Sequence, residues 1–277
     1  MKHKTGSFTG HNSLELFWQS WEPEQDTKAT LVLVHGVGEH SGRYENLINH
    51  LVDRGFAIYG YDLRGHGRSK GRKGYINSWE DYRQDLHLFV QQFASQTQQL
   101  FLMGHSLGGL IALDYVNKYP QDVQGIIASS PPMSLATGSR VLRIIATILN
   151  ILLPKWQFGV PFNPDGLSRI PTVIQAYLDD PLVHNQITAR WVIEGFRTIE
   201  RLTQSAWGIE APVLLTHGGA DSIVPIEGTR SFYEVLDSED KEFIFYPDSK
   251  HEPHNDSNWK EAVENISNWL EKQLKQN

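Results

Sequence analysis

The feature that most restricts what this chain can fold into is the turn Gly104-His105-Ser106-Leu107-Gly108. It closes an apolar run, Leu100-Phe101-Leu102-Met103, and opens a stretch with Leu110, Ile111, Leu113, Tyr115 and Val116 on a helical pattern. A strand that turns so abruptly into a helix strains its central residue, here Ser106, and brings the two elements close together. Glycine two residues to either side removes the side chains that would collide. This is the strand–turn–helix setting that a G-x-S-x-G match requires.

Short β-branched or apolar runs alternate with longer helical patterns along the chain, which predicts a parallel sheet with helices on both faces. The strands are expected at Thr30 to His35, Phe56 to Asp62, Leu100 to Gly104, Gly125 to Ser130, Pro212 to His217 and Glu242 to Pro247, after a hairpin from Ser7 to Glu22 turning at His11-Asn12. Trp79, Tyr82, Leu86, Phe89, Val90 and Phe93 mark one helix behind a Ser78 cap. Trp259, Ala262, Val263, Ile266, Trp269, Leu270 and Leu274 mark the last one. The alternation stops between Pro131-Pro132 and Ala211-Pro212. Residues 132–208 read as helical with no convincing strand, a cap inserted into a core made of residues 1–131 and 209–277.

A serine on such a turn needs a base, and the base needs an orienting acid, in the chain order Ser, Asp or Glu, His. Of twelve histidines, His251 follows the last strand in a polar loop ahead of the final helix. His254 lies three residues nearer that helix and is the second choice. His35 and His217 end strands but precede glycine turns, and His35 comes before the serine. Asp221 follows the strand ending at His217 and precedes His251 by one helix and one strand. Asp62 precedes the serine, and Asp248 reads as a turn residue. A tetrahedral oxyanion needs two backbone donors. They are expected from Leu107, directly after the serine, and from Val37 in the loop His35-Gly36-Val37-Gly38.

These segments, together with Glu39-His40-Ser41-Gly42-Arg43-Tyr44, Asp62-Leu63-Arg64-Gly65-His66-Gly67-Arg68-Ser69 and Asp180-Pro181-Leu182-Val183-His184, resemble the monoacylglycerol lipase and lysophospholipase group of α/β-hydrolases. The resemblance runs from about residue 7 to the last helix. Gly-His-Ser-x-Gly-Gly is widespread; His-Gly-x-x-Glu-His-Ser-x-Arg-Tyr is selective. The resemblance implies the α/β-hydrolase fold, with a mostly parallel eight-stranded sheet and an inserted helical cap. It also implies a serine hydrolase with Ser106, Asp221 and His251 as its triad, and a polar group of Glu39, Arg43 and His254 near the exit of the glycerol part. The expected reaction is hydrolysis of monoacylglycerol-type esters to fatty acid and glycerol, without cofactor or metal. A lysophospholipase or general carboxylesterase is the nearest rival. A ligand-binding protein of the same fold with little turnover is the rival from another class.

Composition removes several other chemistries. With no cysteine, disulfides, thiolate-held metals and a thiol nucleophile are excluded, and the animal members of the group differ in carrying cysteines near the site. A net charge of −7 argues against nucleic acid, so Arg64, Arg68, Lys70, Arg72 and Lys73 read as a solvated loop. His251-Glu252-Pro253-His254 lacks metal-site spacing. No secretion signal or membrane span is visible, and a cytoplasmic protein is expected.

Between Arg140 and Leu153 the polar residues Arg140, Arg143, Thr147 and Asn150 form one narrow stripe on a helix, and everything else is apolar. Part of that surplus is expected to roof an acyl pocket, with Ile145, Leu149 and Ile223 in its wall. The remainder is expected to face outward as a peripheral membrane contact, with the two arginines toward anionic headgroups.

Overall fold

Apolar runs without polar alternation make strands covered on both faces, and the centre of the sheet is built from four of them. The computed structural model describes all residues except 95–98, 135–139, 160–162, 206–207 and 277. Its strands are β1 (Lys2–Thr9), β2 (Glu15–Glu22), β3 (Ala29–Val34), β4 (Phe56–Tyr61), β5 (Leu100–His105), β6 (Gly125–Ser129), β7 (Gln157–Gly159), β8 (Gln186–Thr188), β9 (Val213–Gly218) and β10 (Lys241–Tyr246). Every residue of β3, β5, β6 and β9 is buried. Eight strands form one sheet in the order β1-β2-β4-β3-β5-β6-β9-β10. The β1–β2 hairpin and the β2–β4 pairing are antiparallel, and the other pairings are parallel. This is the α/β-hydrolase architecture expected from the sequence, with strand bounds differing by one or two residues except at β1, which begins at Lys2.

Helices α1 (Glu45–Asp53) and α8 (Trp259–Gln276) lie on one face of the sheet, α2 (Glu80–Phe89) and α3 (Leu107–Lys118) on the other. The two-residue period of a strand divides the core accordingly. Leu31, Leu33, Phe101, Met103, Ile127 and Leu214 pack with Leu47, Val263 and Trp269. Val32, Val34, Leu102, Ile126, Ala128 and Leu215 pack with Leu86, Phe89, Leu110 and Leu113. Ser78 does not cap α2; the turn ahead of it is held by Asp81, whose carboxylate accepts the Asn77 N–H at 2.7 Å. In the basic loop, Arg64 is buried and paired with Asp85 at 2.6 Å, so it braces the fold rather than facing solvent.

Between β6 and β9 the chain forms α4 (Arg140–Leu152), α5 (Pro171–Asp179) and α6 (Ala189–Gln204); α7 (Ile226–Val235) then joins β9 to β10. The expectation of no strand in this stretch is corrected by β7 and β8, which pair antiparallel. At three residues each they are too short for an alternation to register. In helix α4 the apolar surface expected to face outward is exposed, but one member of the polar stripe is turned inward. Asn150 is buried, whereas Ile144, Ile148 and Ile151 are 58%, 50% and 73% exposed. Arg143 faces α6, bonded to Glu200 at 2.6 Å in an exposed ion pair and lying over the Phe196 ring. The side chains of Arg140, Val141 and Leu142 lie outside the described residues. Among the described residues, no helix is long and apolar enough to cross a membrane.

Candidate active site

The loops at the C-terminal ends of β3, β5, β9 and β10 converge. Ser106 caps α3 with φ 51° and ψ −119°, a region that residues with a side chain rarely enter. Close approach dictates the flanking glycines: a Cβ on Gly104 would collide with the Gly108 carbonyl, and one on Gly108 with the Val34 carbonyl. The Leu107 N–H stands in the first turn of α3, where no intrahelical carbonyl can accept it. The β3 loop passes directly beside the serine, since a Cβ on Gly36 would lie 3.3 Å from Ser106 Cβ. Val37, 38% exposed, and Ser106 both line a cavity of about 320 Å³.

His251 lines the same cavity, with Asp221 buried behind it. His251 Nδ1 donates to Asp221 Oδ2 at 2.7 Å, while Asp221 Oδ1 accepts the N–H groups of Ile223 and Val224 at 2.8 and 2.9 Å. Burial alone would raise the Asp221 carboxyl, but His251, His217 and the backbone donors hold it well below the usual range. Burial likewise works against a charged His251. Asp221, followed by Glu252 and Glu39, outweighs it and raises the imidazole above its ordinary value. The loops supporting this pair are packed tightly, since a Cβ on Gly218 would collide with the Lys250 carbonyl. Asp248 is exposed in the turn after β10, and Asp62 is occupied with Ser41 and the Arg68 N–H.

Glu39 and Arg43 also line the cavity, but their charges are spent on each other and on the loops. Glu39 accepts from the Gly36 N–H at 2.6 Å, the Tyr44 hydroxyl at 2.7 Å and Arg43 at 2.8 Å. Arg43 also forks onto both oxygens of Glu252 at 2.9 and 3.1 Å. The β3 loop and the histidine loop are thereby clamped through one guanidinium. His254 is buried behind this clamp, stacked on Tyr44 at 4.8 Å, and it is not in the cavity wall. Its expected place beside the leaving alcohol is corrected on that ground.

The apolar wall differs from expectation as well. Ile223 contributes, but Ile145 and Leu149 do not. Leu167, Tyr177, Ile187 and Trp191 stand there instead, brought in by α5, β8, α6 and the turn before α5. The segment Asp180 to His184 ties this stretch to the β3 loop: Asp180 bonds His40 at 2.8 Å, and the His184 N–H bonds the Gly38 carbonyl at 2.8 Å. Sequence reasoning missed Glu252 and His217. A signal for His217 existed in its position four residues before Asp221, but only as a competing base.

A family model described as "Serine aminopeptidase, S33" matches residues 25–258. A protein of Mycolicibacterium smegmatis named Monoacylglycerol lipase is 30% identical over 271 residues, 95% of each chain. The human protein named Monoglyceride lipase is 31% identical over 247 residues, 86% of this chain and 80% of its own. Among solved structures, the Paleococcus ferrophilus monoacylglycerol lipase superposes with a TM-score of 0.86 at 34% identity, covering 93% of this chain and 99% of its own.

Proposed function

Because the chain belongs to the serine aminopeptidase S33 family of α/β-hydrolases, we propose that it hydrolyses monoacylglycerols to fatty acid and glycerol through an acyl-enzyme on Ser106. The observation that carries this reading is the His251–Asp221 bond of 2.7 Å beside a serine on a strained elbow, in a largely apolar cavity. Ser106 Oγ attacks the ester carbonyl while His251 Nε2 takes its proton. The backbone N–H groups of Leu107 and Val37 hold the oxyanion. His251 then gives the proton to the departing glycerol oxygen, and a water activated by the same nitrogen releases the acid. Asp221 keeps the proton of the neutral imidazole on Nδ1 and stabilises the imidazolium. Residues 132–208 act as a cap on the core, with Leu167, Tyr177, Ile187 and Trp191 holding the acyl chain.

A panel of monoacylglycerols, lysophospholipids and short nitrophenyl esters under one set of conditions tests the substrate. Monoacylglycerols are expected to give the highest kcat/KM; preference for lysophospholipids would overturn the head-group assignment. Fluorophosphonate labelling that is absent from Ser106→Ala tests the nucleophile, and a wild type that does not label would identify a binding protein instead.

We further propose a cytoplasmic protein that reaches its lipid at membrane surfaces through α4. Ile144, Ile148, Ile151, Leu152 and Trp156 are all at least half exposed and form an apolar surface on that helix and the turn after it. Co-sedimentation with vesicles is expected for the wild type and lost on Ile144→Ser with Ile148→Ser. Equal binding by both proteins would refute the contact.

A further inference from the structure

We infer that His217, with Thr229 behind it, is a positioning residue that sets the charge and orientation of Asp221. The inference rests on the triad proposed above. His217 is fully buried at the end of β9. Its Nε2 lies 3.0 Å from the Val224 carbonyl and 3.2 Å from Asp221 Oδ2, the same oxygen that accepts from His251. Both neighbours of Nε2 are acceptors, so that nitrogen carries a proton. On the other side of the ring, Nδ1 lies 2.9 Å from Thr229 Oγ1. The Thr229 hydroxyl is in turn 3.2 Å from the Pro131 carbonyl at the end of β6. The ring is therefore fixed at both nitrogens, one by α7 and one by the turn that carries the acid.

The consequence is a carboxylate oxygen shared by two imidazoles. A carboxylate that is partly satisfied by His217 attracts the His251 proton less than a free one would. His217 thereby limits how far Asp221 raises His251, keeping more of the base neutral near physiological pH, where a proton acceptor is needed. The charged and titratable groups that also face His251 are Glu39 and Glu252 from the clamp and the rings of His105 and His254. All four stay in place when His217 is changed.

His217→Phe, which fills the space without a donor, is expected to lower kcat by about tenfold, the loss of one hydrogen bond at the acid. It should also move the acid limb of kcat/KM upward by roughly half a pH unit. His217→Gln, whose amide N–H can stand near Nε2, is expected to recover most of both. A role confined to packing predicts a lower Tm but an unmoved limb, and that result in a folded His217→Phe would overturn the inference. Thr229→Val replaces it should the variant not fold, with a shift in the same direction expected. In the wild type, ¹⁵N-edited NMR must find the His217 Nε2 protonated; a bare Nε2 would overturn the inference without any variant. Should Asp221→Asn leave activity intact, the triad itself fails; should it abolish activity while the limb of His217→Phe stays put, only this inference fails.

Discussion

Ser130 donates its hydroxyl to the backbone carbonyl of His251 at 3.0 Å, joining the end of β6 to the loop that carries the proposed base. It does so from a left-handed conformation, φ 48°, and is wholly buried. A serine held there costs about 1–2 kcal/mol relative to its ordinary backbone, which glycine would not pay. The position therefore trades stability for placement of His251.

Ser130→Gly removes the strain and the hydroxyl together. Its Tm is expected to stay within a few degrees of wild type while kcat falls by about tenfold or less. Ser130→Ala keeps the strain and leaves the His251 carbonyl unbonded, so it should lose both kcat and stability, the latter by about 1–3 kcal/mol. Thermal melts beside steady-state kinetics decide it. A glycine variant with full kcat would show that the bond does not place the base.

The acid limb of activity follows from the state of His251. The base must be neutral, and Asp221 raises its imidazole against the effect of burial. Half-maximal kcat/KM on the acid side is therefore expected above about pH 6.5, the ordinary histidine value. Asp221→Asn should cost roughly four decades of kcat. The residual activity should have its limb below that of wild type, because burial is then opposed by less charge. Asp248→Asn, in the exposed turn, should change neither; a larger loss there than at Asp221 would reassign the acid.

Much of this site could be read from local pattern, and what could not depended on rotation and distance. Ser106 is legible because its requirement for Gly104 and Gly108 is written within five residues. Asp221 and His251 are legible because strand ends and chain order restrict them. Ile145 and Leu149 were misplaced because a helix that is apolar almost all round carries no record of which side meets α6. Burial of Asn150 shows that the polar stripe does not mark the solvent face. Glu252 escaped because its partner Arg43 lies 209 residues away. His217 escaped because its part depends on where both ring nitrogens point, which spacing does not encode.

Buried neutral histidines add a pH dependence to stability that is separate from activity. Burial pushes His35, His66, His105 and His254 below their ordinary value, and His184 down to about 4. A base depressed in the folded state contributes stability above its unfolded pKa of about 6.5 and loses it as pH falls toward the folded value. His251, raised instead, works in the opposite sense but is one group against five. Tm is expected to fall steadily from pH 7 to pH 5. The decline should be shallower in His66→Asn, since His66 Nδ1 bonds the Arg64 carbonyl at 3.0 Å and its Nε2 has no hydrogen-bond partner among the described residues. An identical slope in that variant would exclude His66 as a contributor.

Removing the guanidinium from the clamp should reveal what it balances. Arg43 neutralises Glu39 and Glu252, both nearly inaccessible, at 2.8 and 2.9 Å. Burial alone would raise Glu252, yet Arg43, with help from His254 and Asn255, holds it well below the usual carboxylate range. Arg43→Met keeps the length of the side chain and leaves two buried carboxylates without their cation. Breaking a buried pair from one side costs about 3–5 kcal/mol, which for a chain of this size is a fall of roughly 10 °C in Tm. The sign of its pH dependence separates this from lost packing. In wild type, a depressed Glu252 contributes stability that is present above its unfolded pKa, about 4.3, and lost as pH falls through the folded value. In the variant the carboxylates lack that stabilisation, and taking up a proton relieves them. The gap in Tm between the two proteins is therefore expected to be widest at pH 8 and to narrow toward pH 5; a gap that does not change over that range would assign the loss to packing alone.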